Sequence, residues 1–124
     1  MKICNLSFGE IIILNNNLAE VIVDEGVVLN EVMVEEYHDF LLNTLEAPFF
    51  LIINKKHSYS YTFPAQKKIA NLKEIKAMAV VAVTSGGVMS TETLVNVNRN
   101  NKWNIKIFQE REQALTWLEK EMIS

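Results

Sequence analysis

Residues 11–14 are continuously apolar, and residues 18–23 alternate apolar with polar or small side chains. Asn15, Asn16 and Asn17 lie between them. Asparagine tolerates unusual backbone angles and can bond its own backbone, so the two runs predict a hairpin. The period then changes. Leu29, Val32, Met33, Tyr37, Phe40, Leu41 and Leu45 recur every three or four positions, with Glu31, Glu35, Glu36 and Asp39 mostly between them. That spacing predicts an amphipathic helix, capped by Asn30 and ended by Ala47-Pro48. Residues 49–53 (FFLII) are apolar without interruption, as a strand covered on both faces requires.

A second helix is predicted over 64–72, with Pro64 in its first turn and Ala65, Ile69 and Leu72 on its buried stripe. Residues 78–83 form another buried strand, and Thr84-Ser85-Gly86-Gly87 turns the chain. Val88, Thr91, Leu94 and Val95 mark a helix of weaker propensity, because branched side chains lose freedom there. Trp103, Ile105 and Ile107 alternate with Asn104 and Lys106, which predicts a half-buried strand. Residues 109–122 make the clearest helix, with Ala114, Leu115, Trp117, Leu118 and Met122 along one side.

The predicted order is therefore ββαβαβαβα, an α/β fold in which helices pack on a sheet. The later strands should be mainly parallel, joined by right-handed crossovers, and the opening hairpin antiparallel. A length of 124 residues suits a single domain spanning 1–124, and 49% hydrophobic residues suffice for its core. The net charge of -3 gives no general attraction to nucleic acid or to anionic membrane. The single cysteine, Cys4, cannot close an intramolecular disulfide and fits a reducing compartment. No secretory signal is evident at MKICNLSFGE, and runs such as MAVVAV are far too short to span a membrane. The expectation is a cytoplasmic protein without stable membrane insertion.

Candidate chemistry gathers after the FFLII strand. Asn54, Lys55, Lys56, His57, Ser58, Tyr59, Ser60 and Tyr61 follow its carboxyl end. Open parallel sheets place ligands outside those strand ends. The lysines could attract an anion, and hydroxyls or the next helix start could bind it. The plain alternative is a long loop that needs polar residues. Thr84, Ser85, Gly86 and Gly87 form a second candidate, whose N–H groups could cradle an anion at a helix start; a tight strand-to-helix turn also explains them. Tyr59, Tyr61 and Phe63 alternate and could line an apolar cleft or a partner surface. His38 falls on the charged side of its helix, and two distant histidines with one cysteine make no metal site. No cofactor motif is present, and no catalytic set is recognisable: His57 and Ser58 are adjacent, so in an extended segment they point opposite ways.

Three stretches, APFFLIIN at 47–54, IKAMAVVAVTS at 75–85 and IKIFQEREQALTWLEKE at 105–121, resemble the SpoIIAA-like family of small bacterial proteins, grouped with STAS and Sec14-type domains. The resemblance implies a mixed sheet of four or five strands with helices mainly on one side. The wider group includes phosphorylatable regulators, domains attached to anion transporters and proteins with an apolar ligand cleft. In those regulators an aspartate ends a strand, and a serine or threonine followed by glycine opens the next helix. Asn54 stands in the aspartate's place, and none of Ser58, Ser60 and Thr62 precedes a glycine.

The function expected is a non-enzymatic regulatory or protein-binding module that offers the 54–62 surface to an unidentified protein or small ligand. One alternative is a carrier of an apolar or lipid-like ligand, which needs a cavity of at least ~300 Å³. An enzyme with an unrecognised site is a further alternative. The helix over 88–97 could face a homodimer partner.

Overall fold

The computed structural model describes residues 1–123. Its chain order is β1 (Lys2–Leu6), β2 (Gly9–Asn15), β3 (Leu18–Val23), β4 (Val28–Leu29), α1 (Glu31–Thr44), β5 (Phe49–Asn54) and β6 (Ser60–Tyr61), then α2 (Phe63–Lys68), β7 (Ile75–Val81), α3 (Ser85–Val97), a 3-10 turn (Arg99–Asn101), β8 (Ile105–Phe108) and α4 (Arg111–Met122). Six strands form one mixed sheet in the order β1-β2-β3-β5-β7-β8. The first two neighbour pairs are antiparallel, and the pairs from β3 to β8 are parallel.

The strand count corrects the expectation of four or five. The added strand is β1, at the sheet edge, where Ile3 is 55% exposed. Backbone pairing to β2 holds it, and so little of it is buried that no hydrophobic period marks it. The hairpin β2–β3 turns at the asparagines as expected, with the Asn17 N–H donating to Asn15 Oδ1 at 3.0 Å. At the start of β2 only glycine fits: a Cβ on Gly9 would sit 2.2 Å from the Ile22 carbonyl oxygen of β3.

Helix α1 starts where its cap was expected, with Asn30 Oδ1 accepting from the Met33 N–H at 2.9 Å. Thr62 and Thr84 cap α2 and α3 in the same way. Glu110 caps α4 without a side-chain hydrogen bond. Several boundaries move. Helix α2 ends at Lys68 rather than 72, and strand β7 runs from Ile75 to Val81 rather than 78–83, leaving Val83 70% exposed. Helix α3 begins at Ser85 rather than 88, and α4 at Arg111 rather than 109.

The period-two rule of a strand divides the core. Phe49, Leu51 and Ile53 of β5 face one side, with Tyr37, Leu41 and Leu45 of α1, Ile69 just after α2, and Val88 of α3. Phe50 and Ile52 face the other side, against Ala114 and Leu118 of α4. Three helices therefore cover one face and α4 covers the other.

On the α4 face lies an ion pair with one buried partner. Glu20 of β3 is 4% exposed. Its Oε1 accepts from Arg111 Nε at 3.0 Å and Nη2 at 2.8 Å, and its Oε2 accepts from Asn54 Nδ2 at 2.9 Å.

Candidate functional site

Strands β5 and β7 run parallel in a register that pairs Asn54 with Val81, so both chains leave the sheet at the same edge. The Lys55 N–H donates to the Val81 carbonyl at 2.9 Å and extends the ladder by one step. Beyond it, the loop after β5 and the start of α3 enclose a cleft of about 240 Å³. Lys55, Lys56, His57, Ser58 and Tyr59 line one wall, and Thr84, Gly86, Gly87 and Ser90 line the other. The two candidate stretches, thirty residues apart in sequence, thus converge on one space at the carboxyl ends of adjacent parallel strands, where open sheets bind ligands.

Not every expected residue faces that space. Asn54 points to the opposite side of the sheet, where it bonds Glu20. Ser60 is exposed and pairs within a two-stranded parallel ladder, β4 with β6. Tyr61 turns into the core side. Ser85 is exposed outside the cleft lining. Phe63 lies on the surface of α2, with Lys67 Nζ 5.1 Å from its ring centroid, and lines neither cavity.

The loop is held at its far end by the same ladder. The Ser60 N–H donates to the Val27 carbonyl at 3.0 Å, and the Thr62 N–H to the Leu29 carbonyl at 2.8 Å. Glu25 also belongs to the cleft, and its Oε1 accepts from the Ser58 N–H at 3.1 Å. On the opposite wall, Thr84 Oγ1 accepts from the Gly87 N–H at 3.0 Å. The Gly86 N–H, in the first turn of α3, has no acceptor within the helix. No atom lies within 4 Å of where a Gly86 Cβ would stand, so the helix start is open.

Lys55 is the unusual member. Counting by twos from Phe49 puts it on the core face with Leu51 and Ile53, and it is only 8% exposed. Its Nζ donates to Ser90 Oγ over a long 3.4 Å. The ammonium lies 5.1 Å from the Tyr59 ring centroid and 5.4 Å from that of Tyr61, within cation–π range. Among the described residues no carboxylate pairs with it, unlike Lys68 with Glu31 and Arg111 with Glu20. Burial alone lowers its pKa from the ordinary lysine range to about 8.

Beneath the cleft, Tyr59 and Tyr61 meet edge to face, centroids 5.6 Å apart. Burial raises the pKa of both hydroxyls, and that of Tyr37. With Phe8, Ile53 and Leu94 they line an apolar cavity of about 30 Å³, with Lys55 at its boundary. That volume holds one or two waters at most. His38, expected on the surface, is instead half-buried, with Nε2 2.9 Å from the Ile69 carbonyl. No group of acidic, histidine and cysteine side chains among the described residues could hold a metal ion.

Sequence reasoning missed Glu25 and Ser90 as parts of the cleft. Nothing in their local sequence marks them. The burial of Lys55 had a signal, its parity with Phe49, Leu51 and Ile53, that a division into strand and polar loop concealed.

Fold and cleft together define an α/β protein with a mixed sheet and a polar cleft at its parallel strand ends, floored by one buried cation. No family model, no curated protein and no solved structure matches the chain.

Proposed function

We propose that the protein is a non-enzymatic binding or regulatory module of the SpoIIAA-like type, and that its cleft takes an anionic group carried by a small ligand or a protein surface. The observation that carries this reading is Lys55: a buried ammonium, without a carboxylate, that lines an open cleft. A buried charge is disfavoured unless paired, and an incoming anion would pair it. Lys56 and His57 add donors on the same wall, and the open N-terminus of α3 adds a backbone N–H and the positive end of a helix dipole. Glu25 opposes them but is already engaged by the Ser58 N–H.

The phosphoswitch role known in the wider group is not part of this proposal, because Asn54 faces Glu20 rather than a serine at a helix start. The apolar-carrier alternative draws on Tyr59 and Tyr61, yet requires the 30 Å³ cavity beneath them to open by an order of magnitude. No helix among the described residues is long and apolar enough to cross a membrane.

Isothermal titration with inorganic phosphate at low ionic strength tests the reading. Saturable binding is expected, weakened by added salt and by replacing Lys55, Lys56 and His57 together. Affinity unchanged in that triple variant would overturn it. Native mass spectrometry gives the alternatives their own readouts, a lipid-sized adduct for a carrier and a defined dimer mass for self-association.

A further inference from the structure

A lysine that only attracts anions works best when well hydrated, and every other lysine here is exposed. Lys55 is built differently. Its stem continues the apolar face of β5, two tyrosine rings flank its head, and its one hydrogen bond is long and to a neutral hydroxyl. Its Nζ lies between an apolar cavity and an open polar cleft that can admit a small molecule. Such surroundings are those of an amine used as a nucleophile.

We propose that Lys55 captures carbonyl compounds, its amine condensing reversibly with a small aldehyde whose anionic group lies in the cleft. This inference rests on the anion-binding reading of the same cleft. The neutral Nζ adds to the carbonyl carbon, forming a C–N bond, the carbonyl electron pair moves to oxygen, and a proton passes from nitrogen to that oxygen to give a neutral carbinolamine. A second proton, taken from solvent, converts the hydroxyl into water, which the nitrogen lone pair expels to leave a protonated imine. One water is released and no oxidant or reductant is needed.

Three features favour the product. The Tyr59 and Tyr61 rings that flank the ammonium can equally flank an iminium cation. Ser90 Oγ, 3.4 Å from Nζ, is placed to exchange a proton with the adduct. The Gly86 N–H on the opposite wall and Lys56 on the same wall are available to the anionic end. A pKa near 8 leaves about a tenth of Lys55 neutral at pH 7, against less than about a thousandth of an ordinary lysine. The other titratable groups facing this space are Glu25, Tyr37, Lys56, His57, Tyr59 and Tyr61.

The probe is glyoxylate, an aldehyde with one carboxylate, trapped by cyanoborohydride at pH 7 and mapped by peptide mass spectrometry. Lys55 should become carboxymethylated at least about tenfold faster than any exposed lysine, following its larger neutral fraction. Inorganic phosphate should slow that site alone, and propanal should react there more slowly. Labelling spread over exposed lysines with Lys55 untouched would overturn the proposal, and phosphate binding that persists in the same sample would show that the anion site stands without it. Labelling at Lys55 indifferent to phosphate and to the probe's carboxylate would overturn the anionic specificity, and with it the anion-binding reading. Because the site is mapped in the unmodified sequence, the result does not depend on a variant folding.

Discussion

Two buried charges sit on opposite faces of one sheet, and they are treated in opposite ways. Glu20 is satisfied at both oxygens, by two nitrogens of Arg111 and by the Asn54 amide. It ties α4 to β3 and β5 and has nothing left to offer a ligand. Lys55, the next residue after Asn54, has one long bond to Ser90 and the faces of two tyrosines. Satisfaction marks Glu20 as a structural group. The unmet demand of Lys55 is the ground of the anion-binding proposal, since perturbed and under-paired groups in clefts concentrate at functional sites.

That contrast can be broken first at Arg111. Arg111→Ala leaves Glu20 buried with only the amide as partner. A loss of about 2–3 kcal/mol in urea unfolding is expected, below the cost of breaking a fully buried pair because Arg111 is itself 43% exposed. A loss under about 0.5 kcal/mol would place Glu20 among ordinary surface pairs.

The matching change at the other charge should have the opposite sign. Lys55→Met keeps the apolar stem and deletes the buried ammonium, so the variant should gain about 1–2 kcal/mol at pH 7 while losing phosphate binding. A destabilised Lys55→Met protein would show that Lys55 contributes to the fold and would remove the contrast.

The same pair separates with pH. The folded pKa of Lys55 is depressed to about 8 from an ordinary value of 10.5. Below pH 8 both states hold the proton and the burial penalty is constant. Above it the unfolded chain holds more protons than the folded one, so the wild type should gain stability as pH rises from 8 towards 10.5. Near and above pH 10 the buried tyrosines work against this gain, because their raised pKa keeps them protonated when folded. The stability gap between Lys55→Met and wild type should therefore narrow over that window, measured by denaturant midpoints at each pH. A gap independent of pH would mean that Lys55 titrates normally.

The smallest effect on folding is expected at the rim. Lys56 is exposed and His57 half-buried. Replacing both with alanine should move stability by less than about 0.5 kcal/mol yet weaken phosphate binding several-fold. Undiminished affinity would confine the site to Lys55 and the start of α3.

Much of the fold was legible because the parallel strands are buried on both faces and the helices are amphipathic. FFLII and MAVV announce themselves by continuous hydrophobicity, and Asn30 announces α1 by its capping chemistry. Strand β1 did not, since an edge strand held by backbone pairing leaves no side-chain period to read. Strands β4 and β6 are two residues each and owe their existence to each other, a nonlocal pairing that no local pattern encodes. The cleft was half legible. Position after a central strand pointed to residues 54–61, and the glycine turn pointed to 84–87. That they share one space follows from the β5–β7 register. Asn54 and Lys55 were read together as a polar pair, although consecutive residues of a strand point to opposite faces.

The small β4–β6 ladder has a consequence for how this cleft would work. It pins the chain at Ser60 and Thr62, while the β5–β7 ladder pins it at Lys55, so only four residues lie between two anchored points, and Ser58 among them is tied by its N–H to Glu25 and by its carbonyl to the Gly26 N–H. A segment that short has little conformational freedom left to surrender when a ligand arrives. Recognition would then proceed with the loop already in its bound shape, and the amides of Ser60 and Thr62 should resist hydrogen exchange to nearly the same degree with the cleft empty or filled.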